Sequence, residues 1–353
     1  MISLFSLISI GASLLGLTFI VSFHEFGHLI FAKLFKVYAP TFSIGIGPKV
    51  FSKKIGDTEY CISAAPLGGY VEIGEPEAGD PNKNYIGFSH IAYWKKVLII
   101  LGGIGCNIFL SYILFSLLFF IGLPQNSSIP ARFLTNTVHT VTNESLTGQI
   151  PQNAHISMIG QYPVSNGKDI FEAFSKINPE ENVKITYIHN ETTQEYFIDL
   201  SSTKNLPIES KLGLNLSRVH SSSIIQNISW GIELTNLYMY LIGQHITSIF
   251  TQGNITSFVG PIMAISMSSK SAQKGISSFL FFLGVISINL GLMNLLPLPI
   301  FDGGQFVIFT TETIIRRQLS DKVKEIIGLS SWLLVIGLFI LFSIKDIWHL
   351  ICN

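Results

Sequence analysis

Three stretches of the chain, residues 97–123, 275–301 and 326–344, contain no Asp, Glu, Lys or Arg. Each is a nearly continuous apolar run. About 20 apolar residues suffice to cross the hydrocarbon core of a bilayer, so each run predicts a transmembrane helix. A fourth helix is predicted at the start of the chain. There Glu25, flanked by His24 and His28, is the only charged side chain before Lys33. The spans are placed at 1–34, 96–123, 275–301 and 326–345.

The connections between the runs have patterns of their own. Region 35–95 contains strand-like segments rich in glycine, Ile44–Gly47 and Pro66–Val71, which predict a membrane-dipping β-hairpin. Region 125–205 holds four strand-like stretches, TNTVHTV, AHISMIGQYPV, NVKITYI and TQEYFIDL. A polar helical piece, KDIFEAFSKI, lies between the second and third. That order predicts a small α+β domain. The remaining connections are a linker at 206–274 and a loop at 302–325. Within the linker, Trp230, Leu234, Leu237, Leu241, His245 and Ile249 recur at helical spacing. They predict an amphipathic helix, lying either in the membrane interface or on the soluble domain.

Charge orients this arrangement. The first connection carries Lys33, Lys36, Lys49, Lys53, Lys54, Lys83, Lys95 and Lys96, and the third carries Arg316, Arg317, Lys322 and Lys324. The positive-inside rule places both in the cytoplasm, with the two termini and the long middle connection outside. Only 12% of the 353 residues are charged and 48% are hydrophobic. A soluble domain carries about 25% charged residues, so the lipid bilayer is the expected surrounding. The 22 basic residues are balanced by 22 acidic ones, which argues against a nucleic-acid partner. Cys61, Cys106 and Cys352 form no metal or disulfide pattern.

Candidate chemistry lies in the first span. His24-Glu25-Phe26-Gly27-His28 is an H-E-x-x-H motif. On a helix, residues i and i+4 share a face, so both imidazoles reach one Zn²⁺ and the intervening Glu can act as general base. Ionisable groups inside a span are costly and mark a functional site by default. The alternative is a His–Glu pair that only holds helices together. A catalytic zinc needs a third protein ligand and an open position. Asp302 ends the third apolar run, within Asn294-Leu-Leu-Pro297-Leu-Pro299-Ile-Phe-Asp302-Gly303-Gly304. Spans one and three run parallel, so His24, His28 and Asp302 fall on the same side of the bilayer. By position alone Asp302 could equally be an ordinary helix-end charge. Opposite two histidines at its depth, it is the candidate third ligand. Pro297 and Pro299 break the helix just before it.

With these motifs the chain resembles the site-2 proteases, intramembrane zinc metalloproteases of bacteria. HEFGH at 24–28 matches the family's motif in its first span. NLLPLPIFDGG at 294–304 is similar to its N-x-x-P-x-P-x-x-D-G motif. APLGGYVEIGE at 65–75 resembles its signature after span one. GNITSFVGPIMAI at 253–265 resembles the segment before span three. GGIGCN at 102–107 stands where relatives often have Ala-Gly-Pro-x-x-Asn.

The resemblance implies a polytopic α-helical membrane protein with four transmembrane helices, a membrane-associated β-hairpin region after the first, and one extracytoplasmic PDZ-like α+β domain. It implies zinc on His24, His28 and Asp302, with Glu25 as base. Asn294, Pro297, Pro299, Gly68 and Gly69 are the expected substrate-binding residues. The implied activity is cleavage of transmembrane segments in regulated intramembrane proteolysis, with anti-sigma factors or signal-peptide remnants as examples. The implied partners are single-span membrane proteins already cut by another protease, in a bacterial cytoplasmic membrane. Two other classes compete. A catalytically inactive membrane chaperone of the same fold would lack a ligand or the base, and this chain keeps all four. A transporter would show paired repeats and broken midplane helices.

Overall fold

The computed structural model describes residues 4–76, 85–125, 129–141, 150–177, 182–199, 214–252 and 260–352. The chain divides into two compact units, Met1–Leu118 with Ile228–Asn353, and Phe119–Asn227. Residues 253–259 of the GNITSFVGPIMAI segment and 148–149 at the edge of the small domain lie outside the described residues.

In the first unit, helix α1 (Leu4–Leu34) is apolar on all sides, as expected of a helix that does not face water. Its burial is reversed relative to a soluble helix. Ser9, Ser13, Thr18, Ser22, His24 and His28 are buried, whereas Leu7, Ile8, Leu15 and Phe19 are exposed. Helix α2 (Tyr93–Ile121) repeats this. Asn107 and Ser111 are buried, and Leu101, Phe109, Ile113 and Leu117 are exposed. Small and polar side chains share the helix contacts with buried Ile20, Leu110 and Leu114 while other large apolar ones face outward, which suits a solvent of lipid tails. Among the described residues four helices are long and apolar enough to cross a membrane, over Ser6–Leu34, Tyr93–Ile121, Ile276–Met293 and Lys322–Trp348.

Three of these helices meet around the centre of the unit. Ile20 of α1, Leu110 and Leu114 of α2, and Leu283 of α6 (Ile276–Met293) form one buried cluster. Ser111 Oγ donates to the Gly284 carbonyl at 3.0 Å, and Ser287 Oγ donates to the Asn107 carbonyl at 2.8 Å, tying α2 to α6.

Between α1 and α2 the chain forms strands β1 (Thr41–Ile55) and β2 (Thr58–Glu72). Thr41–Ile44 lies between Glu59–Ile62 on one side and Gly69–Glu72 on the other. The two long strands therefore fold back to make several short rungs, and among the described residues no further strand pairs with Gly69–Glu72, the edge of the sheet. Val37, Ala39 and Phe42 pack with Leu29 and Ala32 of α1 and Ile99 of α2, which fixes this sheet against both helices.

The third apolar run is not helical to its end. Helix α6 stops at Met293, and residues 294–301 form a compact loop before α7 (Asp302–Ile315). Pro297 and Pro299 cannot continue a helix. The loop closes tightly, with the Gly303 N–H donating to the Asn294 carbonyl at 2.7 Å. A β-carbon on Gly303 would overlap the carbonyls of Leu295 and Leu296. The fourth helix, α8 (Asp321–Cys352), is longer than its apolar run. Its buried Asp346 accepts from the backbone N–H of Gly260 at 3.3 Å and of Met263 at 2.9 Å, at the start of α5 (Pro261–Gln273).

Helix α4 (Ile224–Gln252) differs from its sequence pattern. Within the first unit it packs on α2 and α6. Tyr112 of α2 donates to Asn236 Oδ1 at 2.7 Å, and Tyr238 stacks near Phe115 of α2 and Phe281 of α6. The face that packs holds Gly231, Leu234 and Thr235, while Leu241 and His245 of the expected stripe are exposed.

The second unit is a sheet in the order β7 (Thr192–Asp199), β6 (Asn182–His189), β4 (His155–Ile159), β3 (Leu134–Val141) and β8 (Leu214–Arg218), with the short β5 (Tyr162–Pro163) on β4. Helix α3 (Gly167–Lys176) starts at Asn166, whose side chain and that of Asp169 form a reciprocal capping box. Its Ile170, Ala173 and Phe174 are buried, as are Ile156, Ile159, Val183 and Ile185 of the sheet. Strand β8 carries no alternation strong enough to be read from the sequence.

Candidate metal centre and catalytic cleft

The two histidines are brought to one point by the helix repeat and by close packing of α2. A β-carbon on Gly27 of α1 would overlap the Gly102 carbonyl of α2, so the helices touch backbone to backbone there. One residue on, a β-carbon on Gly103 would overlap His28 Nε2 and the Cε1 atoms of both rings. The imidazoles therefore lie directly on the α2 backbone, at a position only glycine leaves open.

His24 Nε2 and His28 Nε2 are 3.1 Å apart. Asp302, the first residue of α7, places Oδ2 at 3.1 Å from the former and 3.4 Å from the latter. His28 Nδ1 faces the Ile99 carbonyl at 2.8 Å. A carbonyl only accepts, so Nδ1 is the donor and Nε2 of the neutral ring carries a lone pair. Asp302 Oδ2 is buried and makes no well-aligned hydrogen bond among the described residues. The lone pairs of His28 Nε2 and Asp302 Oδ2, 3.4 Å apart, repel one another unless a proton or a metal cation sits between them.

Zinc holds nitrogen and oxygen ligands at about 2.0–2.2 Å in a tetrahedron, whose ligand atoms are then about 3.3 Å apart. The observed triangle has nearly that size, and the donor set fits zinc.

Glu25 stands beside this triangle. One ligand atom from each of His24, Glu25 and His28 lies within 4.8 Å of the other two. Its Oε2 accepts the backbone N–H of Val71, on the edge formed by β2, at 3.2 Å. Glu25, His28 and Asp302 line a cleft of about 310 Å³, walled by Val71, Ile73, Phe88, Ile99, Ile100, Gln305 and Phe309. The cleft thus joins the triangle to the edge of the sheet.

The remaining sequence candidates sit around this core. Asn294 caps α6 and is buried. Pro297 and Pro299 lie in the loop that delivers Asp302, and the Pro299 carbonyl accepts from Gln305 Nε2 at 3.1 Å. Gly68 and Gly69 lie on β2 against α1. A β-carbon on Gly69 would meet the Ser43 carbonyl and Ser22 Oγ, so these glycines bring the sheet edge onto the helix rather than line the triangle.

Sequence reasoning missed Asn107, whose Nδ2 lies 3.2 Å from His24 Nδ1. A signal existed, since it is the lone amide in the apolar run 97–123. The carbonyl of Ile99 and the N–H of Val71 are backbone groups and leave no trace in a sequence.

Residues 12–338 match the family described as Peptidase family M50. A protein of Clostridium perfringens named as a zinc metalloprotease is 29% identical over 95% of this chain and 97% of its own length. A similarly named protein of Clostridium acetobutylicum is 26% identical over 97% of this chain and 98% of its own. The chloroplastic membrane metalloprotease ARASP of Arabidopsis thaliana is 27% identical over 94% of this chain and 76% of its own.

Proposed function

This chain belongs to peptidase family M50, the site-2 protease family, and on that premise we propose that it is a zinc endopeptidase that cuts transmembrane segments within the membrane. The observation that supports it most is the 3.1–3.4 Å triangle of His24, His28 and Asp302 with the Glu25 carboxylate beside it. His24, His28 and Asp302 would hold zinc, which would supply Lewis acidity to polarise a carbonyl and acidify water.

The protein's own groups do the rest. Glu25 has one carboxylate oxygen held by Val71, and the other accepts no hydrogen bond among the described residues. That second oxygen takes the proton of the attacking water and returns it to the leaving amide nitrogen. A peptide bond inside a helix is shielded by its own hydrogen bonds, so the substrate must be unwound. The edge at Gly69–Glu72 has its Val71 N–H on Glu25, and its remaining backbone groups would pair with an extended strand, adding one more rung. That would lay the substrate along the cleft beside Glu25. Asn294, at the mouth of the Asp302 loop, would hold the strand or the developing oxyanion.

The small unit Phe119–Asn227 we read as a PDZ-like module outside the cytoplasm. It would admit single-span proteins already trimmed by another protease. The setting would be a bacterial cytoplasmic membrane with both termini outside. An inactive chaperone of the same fold is disfavoured because ligands and base are all present.

The test is incubation of the purified protein in lipid vesicles with single-span membrane segments, products being mapped by mass spectrometry. Cleavage within the apolar segment is expected. Cleavage confined to water-exposed sequence would contradict the proposal.

A further inference from the structure

Asn107 is fully buried in α2, and its position is fixed from both sides. Its carbonyl accepts Ser287 Oγ at 2.8 Å and shares the Ser111 hydroxyl, at 3.0 Å, with the Gly284 carbonyl. Its side chain ends at His24, with Nδ2 3.2 Å from Nδ1 of the ring. Its other end, Oδ1, is buried with no hydrogen-bond partner among the described residues.

Such an arrangement suits a ring whose Nε2 carries a proton. It does not suit a ligand. A histidine that offers Nε2 to a metal carries its proton on Nδ1, and that proton needs an acceptor. His28 has one in the Ile99 carbonyl. Among the described residues, His24 has only Asn107 in the same role. A half-turn about the last side-chain bond exchanges Oδ1 and Nδ2 without changing the shape of the amide. The buried Oδ1 then gains the partner it lacks.

We propose that Asn107 is a positioning residue for the metal centre: its Oδ1 accepts the Nδ1–H of His24, fixing the tautomer and ring plane that present Nε2 to the metal. The inference rests on the reading of His24 as a ligand. It assigns the two histidines different supports, a backbone carbonyl for His28 and a side-chain amide for His24.

Three variants decide it, each purified without metal and titrated with Zn²⁺ against a competing chelator. Asn107→Leu keeps the size and loses the acceptor, and its zinc affinity falls by about 10- to 100-fold. Asn107→Asp has only acceptors and binds zinc at least as tightly as the wild type. If the leucine variant does not fold, the aspartate variant decides alone, because a donor role predicts loss and an acceptor role predicts retention. His24→Ala separates this inference from the ligand reading. Zinc lost in His24→Ala but unchanged in Asn107→Leu, or an aspartate variant as weak as the leucine one, overturns the role of Asn107 alone. Zinc unchanged in His24→Ala overturns both.

Discussion

The backbone N–H of Val71 donates to Glu25 Oε2 across 3.2 Å, joining the edge of the sheet to the proposed base. The bond leaves one carboxylate oxygen for water and fixes its direction. Hydrogen bonds to charged groups contribute about 1.5–3 kcal/mol. Val71→Pro removes the donor, and turnover should fall by about 10- to 100-fold, while Val71→Ala stays near wild type. Steady-state cleavage of one membrane segment by both variants checks this. Equal activity of the two would show that the bond is incidental.

The contact between Gly103 and the two imidazoles predicts a sharp positional effect along α2. Gly103→Ala should displace the rings and lose metal, since its β-carbon has no space. Gly105, two residues on, has nothing within 4 Å of a β-carbon. Gly105→Ala should therefore keep zinc and gain up to about 1 kcal/mol from helix propensity. Metal content and thermal unfolding of the pair test the packing directly.

Glu312 of α7 supplies a pH prediction outside the spans. Burial alone would raise its carboxyl. The Lys324 ammonium at 2.8 Å, the Leu319 N–H at 2.9 Å and the charge of Lys96 together hold it below the ordinary value of 4.5. A depressed carboxyl adds stability above its unfolded value and loses it as the pH falls through the folded one. Lys324→Met should cost about 0.5–1 kcal/mol at neutral pH, since Lys324 is partly exposed. The difference from wild type should shrink below pH 4.5. Thermal unfolding at the two pH values reads it.

What the sequence shows of the site is what lies on one helix or at one depth. His24, Glu25 and His28 are legible because the helix repeat alone brings them together. Asp302 is legible because charge is scarce and it ends an apolar run. Asn107 stands out as the lone amide of its apolar run, but its meeting with His24 is not legible, because that depends on how α1 and α2 slide past each other, which Gly27 and Gly102 set by backbone contact. The same limit explains α4. Its strongest apolar stripe includes Leu241, yet Gly231 seats it on Ser116 of α2. Small-on-small contacts of this kind carry no hydrophobic signal. In the small unit β3, β4, β6 and β7 are readable as strand-like stretches and β8 is not, and the folding-back of Gly69–Glu72 onto Thr41–Ile44 is a long-range pairing that alternation does not encode.

The most direct test of the account compares wild type with Glu25→Gln, measuring bound zinc and cleavage of a single-span membrane segment on the same samples. The account predicts one zinc per chain in both and a loss of cleavage of about 10²–10⁴-fold or more in the variant. Zinc retained with undiminished cleavage would contradict the assignment of Glu25 as the base, and no zinc in the wild type would contradict the centre itself.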